Sequence, residues 1–359
     1  FFSQMERIQQ SYEGLGDEGL QRLCTVISDD KQKLPRIVEL DIGGNELTKA
    51  AVGHLVTLLP KLENLEELDL RDNKIRDAVG DLVNVLPMRL QRLDLNGNYI
   101  KDYGVQCVAY TFRKLKSLTE LELTENQIKV GGAIALGQAL KSTSSLTRIS
   151  VAYNCLGDDG AAAIAQGLLK NRSVQSLDMS DNAISDEGCI ALSPVLASRS
   201  CTLTYLNISV NKFGVAGAEQ LAKALNSNKS LKELDVGCNP IGSSGAINFA
   251  AALKRNRTLL TLDLSTTELD NGCAAALEDA MAHNSTLTDL GLMCNDNFDI
   301  EAMETIFEKF RKNREVYEAR LAQQAQTSPS QVPWLKVGGT VLLVVAALAV
   351  ALSAAKRRK

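Results

Sequence analysis

Ten times along the chain the same order of apolar and polar positions returns, Leu-x-x-Leu-x-Leu-x-x-Asn, most clearly from Leu65 to Asn73. The copies begin at Ile37, Leu65, Leu90, Leu118, Leu146, Val174, Leu203, Leu231, Leu259 and Leu287, mostly 28 residues apart. A fixed register of that kind marks an internal repeat. Within a copy, Leu68 and Leu70 alternate with Glu67, Asp69 and Arg71, the period-two pattern of a strand buried on one face. An Asn closes each phrase (Asn45, Asn73, Asn98, Asn126, Asn154, Asn182, Asn211, Asn239, Asn295) except in the ninth copy, where Thr267 stands. Asn can bond backbone groups that a turn leaves open, and stacked copies form a ladder of such bonds. The rung at Thr267 is expected to be the weakest.

Between phrases the pattern turns helical. From Asp158 to Asn171, Ala162, Ile164, Ala165, Leu168 and Leu169 recur at helical spacing behind Asp158, which is placed to cap the start. Each repeat therefore predicts one strand and one helix. A single unit cannot bury its own apolar side, so neighbours must stack into an α/β solenoid with parallel strands inside and helices outside. The period, the strand phrase and the return turns at Asn171, Asn228, Asn256 and Asn284 resemble ribonuclease-inhibitor-type leucine-rich repeats, as in NOD-like receptor sensing arms and Ran GTPase-activating proteins. That resemblance covers residues 12–325 and implies a horseshoe that binds a protein partner on its concave face. The fold by itself names no partner.

The predicted order is an N-terminal capping half-repeat (1–36), ten repeats (37–299), a capping and projecting helix (300–326), a linker (327–336), a transmembrane helix (337–355) and a basic tail (356–359). On the helix, Ile300, Met303, Ile306, Phe307 and Phe310 share the face expected to cap the last strand. The stretch 337–355 carries no charge, and as a helix it spans about 28 Å, close to the ~30 Å hydrocarbon core. Trp334 and Lys336 precede it and Lys356, Arg357, Arg358 and Lys359 follow it, as interfacial anchors do. The arrangement resembles a tail-anchored protein with its repeats facing the cytosol, the mitochondrial outer membrane coming ahead of ER or peroxisome. The terminal bases pull the opposite way under the positive-inside bias.

Charge adds a candidate surface. On the first four repeats the outward positions hold Glu39, Asp41, Glu67, Asp69, Asp72, Asp94, Glu120, Glu122 and Glu125 against Arg71 and Arg92. Such a wall would attract a basic partner, unless the recurring Asp is only the repeat's habitual solvated residue. Repeats five to ten read as quieter, with Tyr153 and Tyr205 as candidate anchors. A net charge of -4 without a long basic run in the repeats leaves no nucleic-acid footprint.

Catalytic chemistry finds no motif. There is no phosphate loop and no Gly-x-Ser-x-Gly elbow, and His54 and His283 have no ligand spacing. The strand carboxylates lack an apolar pocket that would raise one pKa. No cofactor, metal or enzymatic activity is expected. Eight cysteines without a Cys-x-x-Cys pair fit free thiols in a reducing compartment. Two alternatives to a scaffold remain: a regulator of a small GTPase, by likeness to the Ran activators, using an exposed pair such as Arg71 with Asn98, or an inhibitor of a basic enzyme.

Overall fold

A computed structural model describes residues 5–327, Lys336–Val337 and Thr340–Val341. Eleven short strands form one sheet: β1 Glu6–Gln9, β2 Ile37–Asp41, β3 Glu67–Asp69, β4 Arg92–Asp94, β5 Glu120–Glu122 and β6 Arg148–Ser150, followed by β7 Ser176–Asp178, β8 Tyr205–Asn207, β9 Glu233–Asp235, β10 Thr261–Asp263 and β11 Asp289–Gly291. Each pairs in parallel with the next along the chain. The helices that follow the strands are α1 Gly16–Asp29, α2 Lys49–Leu58, α3 Val79–Asn84, α4 Lys101–Thr111, α5 Val130–Leu140 and α6 Gly157–Leu168. After them come α7 Asp186–Ala197, α8 Val215–Leu225, α9 Gly242–Leu253, α10 Ala274–His283 and α11 Ile300–Thr327.

Register puts like on like. Leu40, Leu68, Leu93, Leu121, Ile149, Leu177, Leu206, Leu234, Leu262 and Leu290 form a single column, none more than 2% exposed. Paired strands lie about 4.8 Å apart, whereas packed helices need about 8–10 Å. The stack must therefore bend with its sheet on the inner side. Where α5 meets α6 the backbones touch: a Cβ on Gly137 would lie 2.1 Å from the Ala163 carbonyl oxygen, so only Gly fits.

The turns are locked by the asparagines. Asn126 donates from Nδ2 to the carbonyl of Leu95 in the preceding repeat (2.9 Å), and its Oδ1 accepts from the backbone N–H groups of Asn98 (3.1 Å) and Ile100 (3.3 Å). The return turns carry a second ladder, in which buried Asn256 donates to Leu225 O (2.8 Å). At Thr267 the hydroxyl reaches only Leu264 O of its own repeat; on the other side of that repeat's predecessor, Asn239 Oδ1, which in this ladder faces the Asn211 repeat, is also buried without a partner among the described residues.

Four expectations change. Residues 1–36 are not a half-repeat: β1 pairs with β2 and places Ile8 opposite Leu40, a strand hidden in the sequence by polar Gln9 and Gln10. Asp158 does not cap its own helix. It accepts from the N–H groups of Ser185 (2.7 Å) and Gly188 (3.0 Å), at the start of α7 in the next repeat, and Asp17, Asp102 and Asp186 do the same for Thr48, Lys129 and Gly214. Open N–H groups at the starts of α2, α5, α7 and α8 are thus closed by the preceding repeat. On α6 the buried residues are Ala161, Ile164, Ala165 and Leu168, while Leu169 is exposed.

The third change concerns α11. Ile306 and Phe310 cap the stack as expected, but Ile300 is 71% exposed. The second half does not project freely: Asn313 donates to Asn284 O and Leu287 O (both 3.0 Å), and Arg314 pairs with Asp289 (3.4 Å). The fourth lies at the start of the expected transmembrane helix. Lys336–Val337 and Thr340–Val341 form an antiparallel pair of two-residue strands. Among the described residues no helix is long and apolar enough to cross a membrane. Trp334, most of 337–355, and Lys356, Arg357, Arg358 and Lys359 lie outside the described residues.

The ladder yields a paired prediction. Asn182→Ala removes bonds to Val151, Met179 and Ser180 carbonyls and should lower stability by about 3 kcal/mol or more, at about 1–3 kcal/mol for each buried group left unpaired. Thr267→Asn restores a donor toward the preceding repeat and should raise stability by about 1 kcal/mol. Urea unfolding followed by circular dichroism reads both shifts, and unchanged midpoints would contradict the ladder.

Candidate functional site on the concave face

Alternate strand residues face away from the helices, so the concave surface is built from the first and third residues of each strand and the residue two further on. The first strands carry the sequence-predicted acids Glu39, Asp41, Glu67, Asp69, Asp94, Glu120 and Glu122, brought together in register. They do not form the free acidic wall expected. Asp69 and Asp94 are 7% and 2% exposed, and Asp41 Oδ1, Asp69 Oδ1 and Asp94 Oδ1 accept the N–H of Gly43, Arg71 and Asn96. The recurring Asp is therefore a turn-forming acceptor rather than a solvated residue.

Among the described residues all of these acids but Glu67 are also paired with bases. Arg7 meets Glu39 (3.2 Å), Arg71 meets Asp69 (2.8 Å), Arg92 meets Asp94 (3.1 Å) and Arg148 meets Glu122 (3.3 Å). Arg7 escaped the sequence reading because its strand did, and Arg148 because its repeat read as quiet. Burial pushes Asp94 up to about 6, with neighbouring Asp69 adding to it. Burial likewise pushes Glu122 up to about 7 against the opposing pull of Arg148. Pockets that raise a carboxylate pKa thus exist, contrary to expectation, although each holds its carboxylate in a structural ion pair.

The other candidates separate. Arg71 lies over Gly43, held by Asp69, with its Nε buried, and Asn98 is a fully buried ladder residue bonded to Leu70 O. Those two side chains cannot act together as an exposed pair. Tyr153 stands at the rim, 56% exposed. Tyr205 is half-buried on the floor, its hydroxyl pushed up to about 12 by burial and then by Asp178, Asp235 and Glu233. Between these strands an open cavity of about 370 Å³ is lined by Glu122, Arg148, Tyr153, Asp178 and Asn207. Asp178, Asp235 and Asp263, passed over in the sequence, occupy the same strand position as Asp69 and could have been found by that alignment.

A leucine-rich repeat family model matches residues 61–78, 114–137, 143–165, 170–193, 199–222 and 227–250. RAN GTPase-activating protein 2 of Arabidopsis thaliana is 25% identical over 108 residues, 29% of this chain, which spans only 19% of that protein. In the solved complex of Rad7 and Elc1 from yeast, a chain superposes with a TM-score of 0.55 at 15% identity, covering 82% of this chain and 70% of its own length. An internalin of Listeria monocytogenes superposes with a TM-score of 0.46 at 21% identity, over 81% of this chain and 92% of its own. Over the matched segments the strand-helix units are leucine-rich repeats, and the stack as a whole is a parallel-strand α/β solenoid consistent with that fold.

Burial of Glu122 sets a pH dependence. Because its folded pKa is raised, the folded state holds the proton more tightly, so this group's stabilisation is complete below 4.5 and is lost as pH rises through about 7. The unfolding midpoint should fall between about pH 5 and about pH 8, and Glu122→Gln should flatten that fall. Parallel pH profiles for the two proteins would remove Glu122 as a cause.

Proposed function

We propose that this chain is an interaction scaffold that holds a protein partner on its concave face and is tethered to a bilayer through residues 337–355. The observation that carries the first part is the open cavity at the centre of the sheet, where small side chains (Ser150, Ala152, Ser180, Ser209) lie beneath exposed Tyr153. A rigid aromatic above a shallow polar floor gives a partner contact area at little entropic cost. The tether draws on the uncharged stretch 337–355 and the bases around it. Free cysteines throughout the repeats, with Cys155, Cys238 and Cys294 exposed, favour a reducing compartment and hence repeats on the cytosolic side. The mitochondrial outer membrane is the favoured site, by likeness of the tail to anchors found there.

Regulation of a small GTPase is the second reading, favoured by the Arabidopsis relative. Its match covers a fifth of that protein, and the pair Arg71 and Asn98 is engaged within the fold. The scaffold reading accounts for more of the surface.

A photo-crosslinking residue at Ser180 on the concave floor should capture the partner, while one at Ala162 on the convex helices should not. Equal capture from both positions would reject the concave site. The tether is tested separately: after alkaline carbonate extraction the full chain should stay with the membranes, and its recovery in the supernatant would reject the tether.

A further inference from the structure

The two halves of the concave face differ in how their carboxylates are balanced. On β2 to β6 the acids meet guanidinium groups from the same or the neighbouring strand. On β7 to β10 the same positions carry Asp178, Asp235, Asp263 and Glu233, and neither Lys nor Arg stands at any concave position of those strands. One oxygen of Asp235 accepts Gly237 N–H (2.9 Å) and one of Asp263 accepts Ser265 N–H (2.8 Å). Their other oxygens have no hydrogen bond among the described residues. Burial pushes Asp235 up to about 6, and Asp263 and Asp178 push in the same direction.

Glu233 supplies an independent observation. It is 7% exposed and makes no hydrogen bond or ion pair among the described residues, and burial alone pushes it up to about 7. Being two residues before Asp235 on one strand, it projects from the same face. Such a carboxylate, largely withdrawn from water with no cation beside it and with its charge felt by Tyr205 and by Tyr317 of α11, is costly, and a cation brought to it would relieve that cost. One carboxylate in Glu233's own row already shows the pairing: Arg314 of α11 reaches Asp289, in register with Thr261 and through it with Glu233. Beyond α11 toward Asp178 the row stands without a counter-charge, and Gly237 and Ser265 leave room above it.

We propose that the trough from Asp178 to Asp263, with Glu233 as its lower wall, docks an arginine- or lysine-bearing segment of the protein partner, a refinement that rests on the concave-face reading above. The basic partner expected from the sequence is thereby assigned to the C-terminal half of the sheet, since Glu39, Asp69, Asp94 and Glu122 are already paired with Arg7, Arg71, Arg92 and Arg148.

The test uses the full chain in detergent and a fluorescein-labelled peptide of alternating arginine and serine, followed by anisotropy. In Asp178→Asn/Asp235→Asn/Asp263→Asn each new amide keeps the turn acceptor, as native Asn207 does for Ser209 N–H (2.9 Å). Binding should weaken about tenfold or more in that variant and less than about twofold in Glu39→Gln/Glu67→Gln/Glu120→Gln. Glu233→Gln, the smallest change, should weaken it about threefold. Equal loss in both triple variants, or none in the aspartate variant, overturns the proposal. If the peptide does not discriminate while cross-links at Ser180 persist, the cationic assignment falls and the concave-face reading survives. If cross-links at Ser180 are absent from the wild-type chain, both fall.

Discussion

Everything in this molecule depends on a buried carboxamide that closes one turn and bonds the next. Each ladder Asn donates to carbonyls of its own repeat and of the one before, and most accept two backbone N–H groups in return, as Asn154 does for Asn126 and Ile128 (3.0 and 2.9 Å). The geometry has a cost. The residue before each Asn is driven to positive φ even where it is not Gly, as at Asp72, Glu125, Tyr153, Val210 and Cys294, at about 1–2 kcal/mol for an L-residue in that region. The satisfied ladder offsets that strain, and it points Tyr153 outward at the rim. A structural constraint on the backbone thus creates an exposed aromatic next to the concave cavity.

A second layer of coupling runs along the helices. Asp17, Asp102, Asp158 and Asp186 each close the helix start of the following repeat, so neither the sheet nor the helical layer is stabilised within single units. A solenoid of this kind gains stability at its interfaces, and a rung lacking bonds loosens both neighbours. Thr267 is that rung. It lies one repeat before the strand on which α11 docks through Arg314, and α11 compensates by closing the end of the stack with Ile306 and Phe310.

Much of this was legible in the residues. Alternation around Leu68 and Leu70 specified the strands, the recurring Asn specified the turns, and the substitution at Thr267 located the weak rung. What escaped was relational. Asp158 looks like a cap for its own helix because sequence proximity is the only proximity a sequence displays, while its partner is a helix away. The first strand was missed because Gln9 and Gln10 break the alternation at the edge of the sheet. The acidic wall was misread because charge balance depends on register: Arg7 and Arg148 neutralise acids on adjacent strands, 32 and 26 residues distant in sequence. Recurring Asp residues looked solvated because they alternate with Leu, yet their carboxylates turn back to the N–H two residues on.

The central claim is that the asparagine ladder holds the strands in register and loses its asparagine at one place, Thr267. Residue-resolved hydrogen exchange on the folded chain tests it most directly. The account predicts that turn amides bonded to ladder Oδ1 atoms, such as those of Asn98, Asn126 and Ile184, exchange only with unfolding of the stack, and that amides at Asn239 and Ile241 exchange earlier. Uniform protection across the Thr267 rung, or rapid exchange at Asn126, would contradict it.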